Sequence, residues 1–278
     1  VNSAPPRRED KAKKIGGRNV GFGSGKGKKP SYIKRPKQAQ EILANLPNAD
    51  DIAKIKAMII YEDHATMVFN KPSGVASQGG SGVVGDLDFL LQAFINPKGK
   101  KPKLVHRLDR ETSGVVLAGK TIAATAFYGA EFAQRRAHKT YFAIVAGKPN
   151  SDEGVIDFPI KRGKQNGIDV ALRAEDGTGD EATTEWRLVA TNNGASLLEL
   201  APKTGRMHQL RCHLSGIGLP ILGDTKYGGL LAVGAVKVPR LMLHANVLNI
   251  AHPGGGFKNF EAPIPADMRN LARELGLD

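Results

Sequence analysis

The residues with the clearest chemical content lie between Leu104 and Gly114, in the run Leu-Val-His-Arg-Leu-Asp-Arg-Glu-Thr-Ser-Gly. One aspartate, Asp109, stands between Arg107 and Arg110, and a Thr-Ser-Gly turn leads at once into the apolar stretch Val115-Val116-Leu117-Ala118-Gly119. Nearby positive charge keeps such a carboxylate ionised and lowers its pKa. Carried on a loop tied to a buried strand, it could attack an electron-poor carbon, stabilise positive charge or accept a proton. Spacing alone leaves a second reading open, because an exposed Arg-Asp-Arg cluster that does no chemistry has the same pattern.

Two other patterns imply different chemistry, and each fails on context. Gly114 to Thr121 reads Gly-Val-Val-Leu-Ala-Gly-Lys-Thr, which satisfies the phosphate-loop expression. A phosphate loop needs an apolar strand before it and a flexible loop with inward N–H groups. Here the preceding residues are polar and the four intervening ones are apolar, so a strand is expected instead. His208, Cys212 and His213 lie close in sequence, with His208 and Cys212 at helical spacing, but too few ligands are present to complete a zinc site. Cys212 is expected in the core. No Gly-x-Ser-x-Gly elbow is present.

Positioning Asp109 requires the elements around it. Residues 38–47 could form a short helix, and Asn48 to Asp51 could cap another. Met58–Tyr61 and Thr66–Phe69 are short and apolar, hence strands, and the turn Lys71-Pro72-Ser73-Gly74 ends the second. The Gly-rich loop 77–85 precedes a helix over 86–95, with Leu87, Leu90, Leu91 and Phe94 on one face. A basic loop over 96–103 then delivers the chain to Asp109. Further helices are expected over 121–135 and 266–275, and a loop turning into a helix over 204–214. Strands are expected over 139–147, 183–191, 196–200 and 240–250, with a hairpin at Asn192-Asn193-Gly194; residues 150–180 read as short strands and turns. Strands arriving in runs with irregularly interposed helices predict an α+β fold, a mixed and largely antiparallel sheet with flanking helices and loops.

The chain has 278 residues, 41% of them apolar, and a formal charge of +13. Residues 1–40 hold twelve Lys/Arg against two acids, so nearly all the excess charge sits in one segment. That segment is rich in Gly and Pro and too poor in apolar groups to fold alone, which predicts a basic arm with a short helical linker over 1–54 and a single domain over 55–278. A basic arm on a nearly balanced domain points to an anionic polymer, nucleic acid above all, or else to a passive solubilising tail. No apolar run approaches the roughly 18 residues of a membrane span, and no signal peptide is visible. The single cysteine excludes an intramolecular disulfide and fits a reducing, cytoplasmic compartment.

Five segments in order resemble the motifs of the RluA family of pseudouridine synthases. Asn70 to Gly74 is similar to its early Lys-Pro-x-Gly turn, and His106 to Gly114 to its catalytic loop. Lys139-Thr140-Tyr141 is similar to its second motif, and Pro202 to Arg211 to its third. Leu243-His244-Ala245, with His252-Pro253, is similar to its closing strand. The resemblance runs from about residue 56 to 275. The loop Gln78 to Gly82 and the Asp109-Arg110 pair look most like the RluC branch, which modifies large-subunit ribosomal RNA. Members of that branch carry an S4 RNA-binding domain ahead of the catalytic domain. Residues 1–54 do not read as one, so it is expected to be truncated or replaced by the basic arm.

The resemblance implies that Asp109 is the catalytic residue, that Arg211 pairs with it, that Tyr141 contacts the target base, and that Arg107 enters the RNA stack the base has left. His106, Arg206 and His208 fall inside the same motifs and are carried as substrate-binding residues. The expected reaction breaks the N1–C1′ bond of uridine, turns the base and rejoins it through C5. Asp109 would attack C1′, stabilise it, or remove the 2′ proton, with no metal or cofactor needed. The expected partner is RNA, through single-stranded or loop uridines, and the expected state is monomeric. A non-catalytic RNA-binding or ribosome-assembly protein on the same fold is the alternative.

Overall fold

The computed structural model describes residues 46–79, 85–175 and 177–278. The expected basic arm, and all but the last residues of the expected helix over 38–47, lie outside them. Helix α1 (Ala49–Met58) starts at Asn48, as its place before an apolar run predicts. Asn48 Oδ1 accepts the Asp51 N–H at 2.9 Å, and the Asn48 N–H donates back to the Asp51 carboxylate at 3.2 Å, so two donors at the helix start are satisfied reciprocally. The chain passes directly into β1 (Ile59–Glu62) and returns antiparallel as β2 (Thr66–Lys71). Asp63 forms that turn by accepting the N–H groups of Ala65 and Thr66 at 2.8 and 2.7 Å.

The helix expected over 86–95 is present as α2 (Leu87–Leu90), which tightens into a 3-10 turn over Leu91–Phe94. Its Leu87, Leu90 and Leu91 bury against Ile55, Met67 and Phe69. Then come β3 (Lys103–Leu104), β4 (Ser113–Gly119), α3 (Ile122–Ala133) and β5 (His138–Ala146). The run with the phosphate-loop pattern is thus the buried strand β4 and the start of α3, whose cap is Thr121.

Next are β6 (Glu153–Ile156), the hairpin β7 (Ile160–Gln165) and β8 (Ile168–Arg173), and the hairpin β9 (Thr184–Asn192) and β10 (Ala195–Pro202). Asn193 and Gly194 both have positive φ, 49° and 76°, as a two-residue hairpin turn demands. The described chain closes with α4 (Gln209–Gly216), β11 (Ala232–Val233), β12 (Val236–Lys237), β13 (Leu243–Ala251), β14 (Phe257–Glu261) and α5 (Ala266–Glu274).

Ten strands form one sheet in the order β1-β2-β4-β13-β5-β10-β9-β6, with β3 beside β4 and β14 beside β13. Its described pairings are antiparallel except one: β4 and β13 run parallel through just two residue pairs, Ser113 with His244 and Gly114 with Ala245. Alternate residues of β2 and β4 serve opposite faces, as strand geometry requires. Met67, Phe69 and Val116 meet α1 and α2, whereas Val68, Val115 and Leu117 meet α3. A further core lies under β5, β9 and β10, closed by Leu214 of α4 and Leu271 of α5. Tyr141 packs against this core and against the one built on α1 and α2.

The seam between β4 and β13 depends on a glycine. Gly114 has φ +118°, and a Cβ there would lie 2.1 Å from the Ala245 carbonyl oxygen. No side chain fits so close to a neighbouring backbone. Beside it, Ser113 Oγ bonds His244 Nδ1 at 2.9 Å, and His244 Nε2 reaches the Ala262 carbonyl at 3.1 Å. The seam is therefore fixed by backbone contact and by a buried polar chain.

Candidate active site

Asp109 sits on the loop entering β4, and that loop is strapped to the turn following β2. Lys71, the last residue of β2, is fully buried. Its ammonium donates to the carbonyls of Pro72 (3.0 Å), Val75 (2.7 Å) and Arg110 (3.2 Å), which explains why a lysine can be enclosed there. Burial lowers its pKa to about 8, against the opposing pull of the Asp109 and Glu111 charges. Ser73 Oγ donates to the Glu111 carbonyl at 2.6 Å, and the Gly74 N–H to the Arg110 carbonyl at 2.9 Å. Arg110 Nε returns a bond to the Gly74 carbonyl at 3.1 Å. Ser77 Oγ serves both sides of Leu108, donating to its carbonyl at 2.8 Å and accepting its N–H at 2.9 Å. Backbone on both sides of Asp109 is thereby held while its side chain stays about a quarter exposed.

Arg211 faces it from α4. That helix begins at His208, which adopts a left-handed conformation (φ 52°, ψ 22°). Gln209 locks the approach: its Oε1 accepts from Thr204 Oγ1 (2.6 Å) and the Arg206 N–H (3.0 Å), while its Nε2 donates to the Thr183 carbonyl at 3.0 Å. Arg211 is almost wholly buried, and its main partner is not the expected one. Nε and Nη2 donate to the two oxygens of Asp224, each at 2.7 Å. Nη1 lies 3.7 Å from Asp109 Oδ2, an ion-pair distance without a hydrogen bond. His208 Nε2 lies 3.9 Å from the same oxygen. Burial pushes the His208 pKa down and favours the neutral ring, against the opposing pull of the Asp109 charge.

Tyr141 reaches the same cleft from β5. Burial, and then the nearby Asp109 charge, push its hydroxyl pKa up, so the ring is a neutral flat face. Leu108, Leu210 and Leu243 complete an apolar lining, and Arg107, Arg206 and His208 reach the rim. Asp109 is the one carboxylate among the described residues that line the cleft. Lys139 donates to the Thr204 carbonyl at 3.1 Å, and burial lowers its pKa to about 8.

His106 lies elsewhere. Its Nε2 accepts the Leu117 N–H at 3.0 Å and its ring stacks on Phe132 with centroids 4.5 Å apart. Burial, with help from the Lys139 charge, lowers its pKa to about 3, so it stays neutral and holds the loop to β4. It lines an adjoining groove together with Arg107, Arg135, Lys139, Lys203 and Arg206, a run of cations with no carboxylate among its described lining residues. Arg206 is tethered there by Nε to the Glu181 carbonyl at 3.2 Å.

The potential zinc ligands separate. Cys212 is buried with Ile160, Ala171 and Ala182, and His213 bonds Thr184 Oγ1 at 3.0 Å. The structure brings Asp109, Tyr141, Arg211, Arg107, Arg206 and His208 to one cleft; His106, expected with them as a substrate-binding residue, lies beside it and holds the loop to β4 instead. Sequence reasoning missed Asp224, Tyr227, Ser77 and the buried role of Lys71. The Lys-Pro turn was a visible signal for the last; nothing local marked Asp224.

Comparison with known proteins bears on the family and the fold. Residues 65–216 match the family model described as RNA pseudouridylate synthase. The chain is 39% identical over 221 residues to ribosomal large subunit pseudouridine synthase D of Borreliella burgdorferi, covering 77% of this chain and 67% of that protein. It is 38% identical over 210 residues to ribosomal large subunit pseudouridine synthase C of Rickettsia bellii, covering 75% and 68%. Among solved structures, human RNA pseudouridylate synthase domain containing 4 superposes with a TM-score of 0.68 at 28% identity, over 82% of this chain and 97% of that one.

Proposed function

Since the chain belongs to the RNA pseudouridylate synthase family, we propose that it converts specific uridines of large-subunit ribosomal RNA to pseudouridine with Asp109 as the catalytic residue. The observation that carries this reading is the single carboxylate in a cleft lined by N–H donors, apolar side chains and one tyrosine face. Breaking a glycosidic bond builds positive charge on the sugar, which a carboxylate beneath the ring stabilises or captures. A hydrolase needs a second carboxyl to activate water. An isomerase does not, and an apolar wall keeps water from the detached base.

In this reading Asp109 attacks C1′ or takes the 2′ proton as the N1–C1′ bond breaks and the base leaves with the electron pair on N1. C5 of the turned base then bonds C1′, with Asp109 released from C1′ or returning the proton to C2′, and C5 loses its hydrogen as a proton while N1 gains one. Tyr141 holds the unstacked uracil by its face, the usual way to grip a base outside a helix. Arg107 enters the RNA stack that the base has left, and Arg206, with the cationic groove beside it, follows the RNA backbone. His208 and Arg211 present N–H groups to the reacting carboxylate. The named cleft residues all belong to one chain, so a monomer suffices, and the cytoplasm is the compartment this substrate implies. The large-subunit target is supported by what the similar proteins from Borreliella and Rickettsia are named for.

The test is carbodiimide labelling followed by reverse-transcription stops on transcripts of large-subunit RNA, small-subunit RNA and tRNA. Stops at discrete uridines of the large-subunit transcript are expected. Modification confined to the other two would overturn the target.

Tyr141→Phe is expected to keep most RNA binding and turnover, since the ring remains. Tyr141→Ala loses about 1–3 kcal/mol of base contact. Equal affinity and turnover in Tyr141→Ala and wild type would remove Tyr141 from the base site.

We also propose that residues 1–54 are a basic arm and linker ahead of the catalytic domain, and that the arm touches phosphates. Deleting residues 1–37 should then flatten the salt dependence of RNA binding, by roughly 0.7 in log–log slope per lost contact on single-stranded RNA. Turnover at saturating RNA should survive. An unchanged slope would make the arm a passive tail.

A further inference from the structure

Asp224 and Tyr227 take no part in the steps just described, yet both bear on the groups facing Asp109. They lie on the loop after α4, beginning at Gly223. There φ is +77°, and a Cβ would come within 1.9 Å of the Arg240 carbonyl oxygen. Asp224 Oδ1 accepts the N–H groups of Lys226 (3.1 Å) and Tyr227 (3.3 Å), so the loop itself fixes the carboxylate. Asp224 is buried, and Arg211 commits Nε and Nη2 to it at 2.7 Å each. The guanidinium carbon also lies 5.1 Å from the Tyr227 ring centroid. A two-point Arg–carboxylate pair is the strongest such geometry, and Arg211 cannot reach forward without breaking it. Its Nη1 is left buried with no hydrogen-bond partner, 3.7 Å short of Asp109.

His208 is restrained in parallel. Its Nδ1 lies 2.9 Å from the Tyr227 hydroxyl, whose oxygen also accepts the Ala171 N–H at 2.6 Å. With the phenol proton given to Nδ1, Nε2 carries the ring hydrogen and aims it at Asp109. The distance is 3.9 Å.

We propose that Asp224 and Tyr227 are positioning residues: they hold one N–H of Arg211 and one of His208 just short of Asp109 in the free enzyme. A carboxylate fully forked by arginine is stabilised, and is a weaker nucleophile and base for it. Held back, the donors keep Asp109 ionised without forking it, and so leave it reactive. The inference rests on the reading of Asp109 as the reacting carboxylate. The charged and titratable groups facing Asp109 are Arg211 and His208 of α4, Lys71 of β2 and Tyr141 of β5. Its own loop adds Arg107, Arg110 and Glu111.

Asp224→Asn removes the charge and one acceptor at constant shape, and Arg211 should then lean onto Asp109. The expected result is a kcat lower by roughly tenfold or more with KM for RNA unchanged. The acid limb of kcat/KM should move about one unit to lower pH. Tyr227→Phe keeps the ring but removes the hydroxyl that fixes the His208 tautomer, so Nε2 no longer holds its hydrogen toward Asp109; kcat falls while the acid limb moves the other way, to higher pH. In an Arg211→Met background, Asp224→Asn should bring no further loss, because it acts through Arg211. Unchanged kcat and pH profiles in both single variants, or limbs that move together, overturn the proposal; so does an added loss in the Arg211→Met background. Melting temperatures accompany each measurement, and if Asp224→Asn does not fold, Tyr227→Phe decides alone. Asp109→Asn, run alongside, separates the two levels. Activity there overturns the reading of Asp109 itself, whereas an inactive Asp109→Asn beside unaffected Asp224→Asn and Tyr227→Phe overturns only the positioning.

Discussion

Asp109→Asn is expected to bind RNA, fold normally and form no pseudouridine. The variant is clean because the strap that places this residue uses backbone and other side chains: Lys71, Ser73 and Ser77 bond the carbonyls and N–H groups of Leu108, Arg110 and Glu111. The Asp109 backbone carbonyl accepts the Thr112 N–H at 3.2 Å, and this bond is indifferent to the side chain. An amide has the carboxylate's shape but can neither attack C1′ nor accept the 2′ proton. Loss of several kcal/mol of transition-state stabilisation corresponds to a rate lower by a factor on the order of thousands or more. The measurement is carbodiimide labelling at enzyme concentrations below the RNA, with the melting temperature recorded beside it. Normal modification by Asp109→Asn would falsify the catalytic assignment.

Arg211→Met carries the second large effect, and it falls first on stability. The residue and its partner Asp224 are both buried, so truncating the arginine strands a carboxylate with no counter-charge. Breaking such a pair costs roughly 3–5 kcal/mol. For a domain of this size that is a melting temperature lower by about 6–20 °C. Arg211→Lys restores the charge but not the planar fork. A single ammonium cannot meet both Asp224 oxygens and also leave an N–H aimed at Asp109, so stability should recover more than turnover does. A melting temperature for Arg211→Met equal to that of wild type would show that the pair is not holding α4 to its loop.

The parts of the fold written in local pattern were legible. Asn48 announced the start of α1, Asn193-Gly194 the hairpin between β9 and β10, and Leu87, Leu90 and Leu91 the buried face of α2. The strand over 114–119 outweighed its phosphate-loop lettering because β-branched, apolar residues bury as sheet. The cleft was legible in another way: Asp109, Tyr141 and Arg211 came together through resemblance to a family, since about a hundred residues of chain separate the first from the last. What stayed hidden was the order of the sheet and the partner of Arg211. No periodicity says that β4 lies beside β13, because a parallel contact two residues long leaves almost no trace in either strand. Asp224 reads as an ordinary turn residue in Gly-Asp-Thr-Lys-Tyr-Gly, and only its enclosure by Arg211 and the loop N–H groups reveals its charge as structural. Lys71 misleads similarly, since a lysine before Pro-Ser-Gly looks exposed until three carbonyls are found around it.

The β4–β13 seam acts as the gauge of the active site. Asp109 enters from the β4 side, while Tyr141 lies beyond β13, and the ladder crosses between them through the pairs at Ser113 and Gly114. The spacing of the two halves is therefore set where β4 meets β13 backbone to backbone. A methyl group at residue 114 would spread the two halves while every cleft residue stayed chemically intact, and catalysis would fail for want of reach.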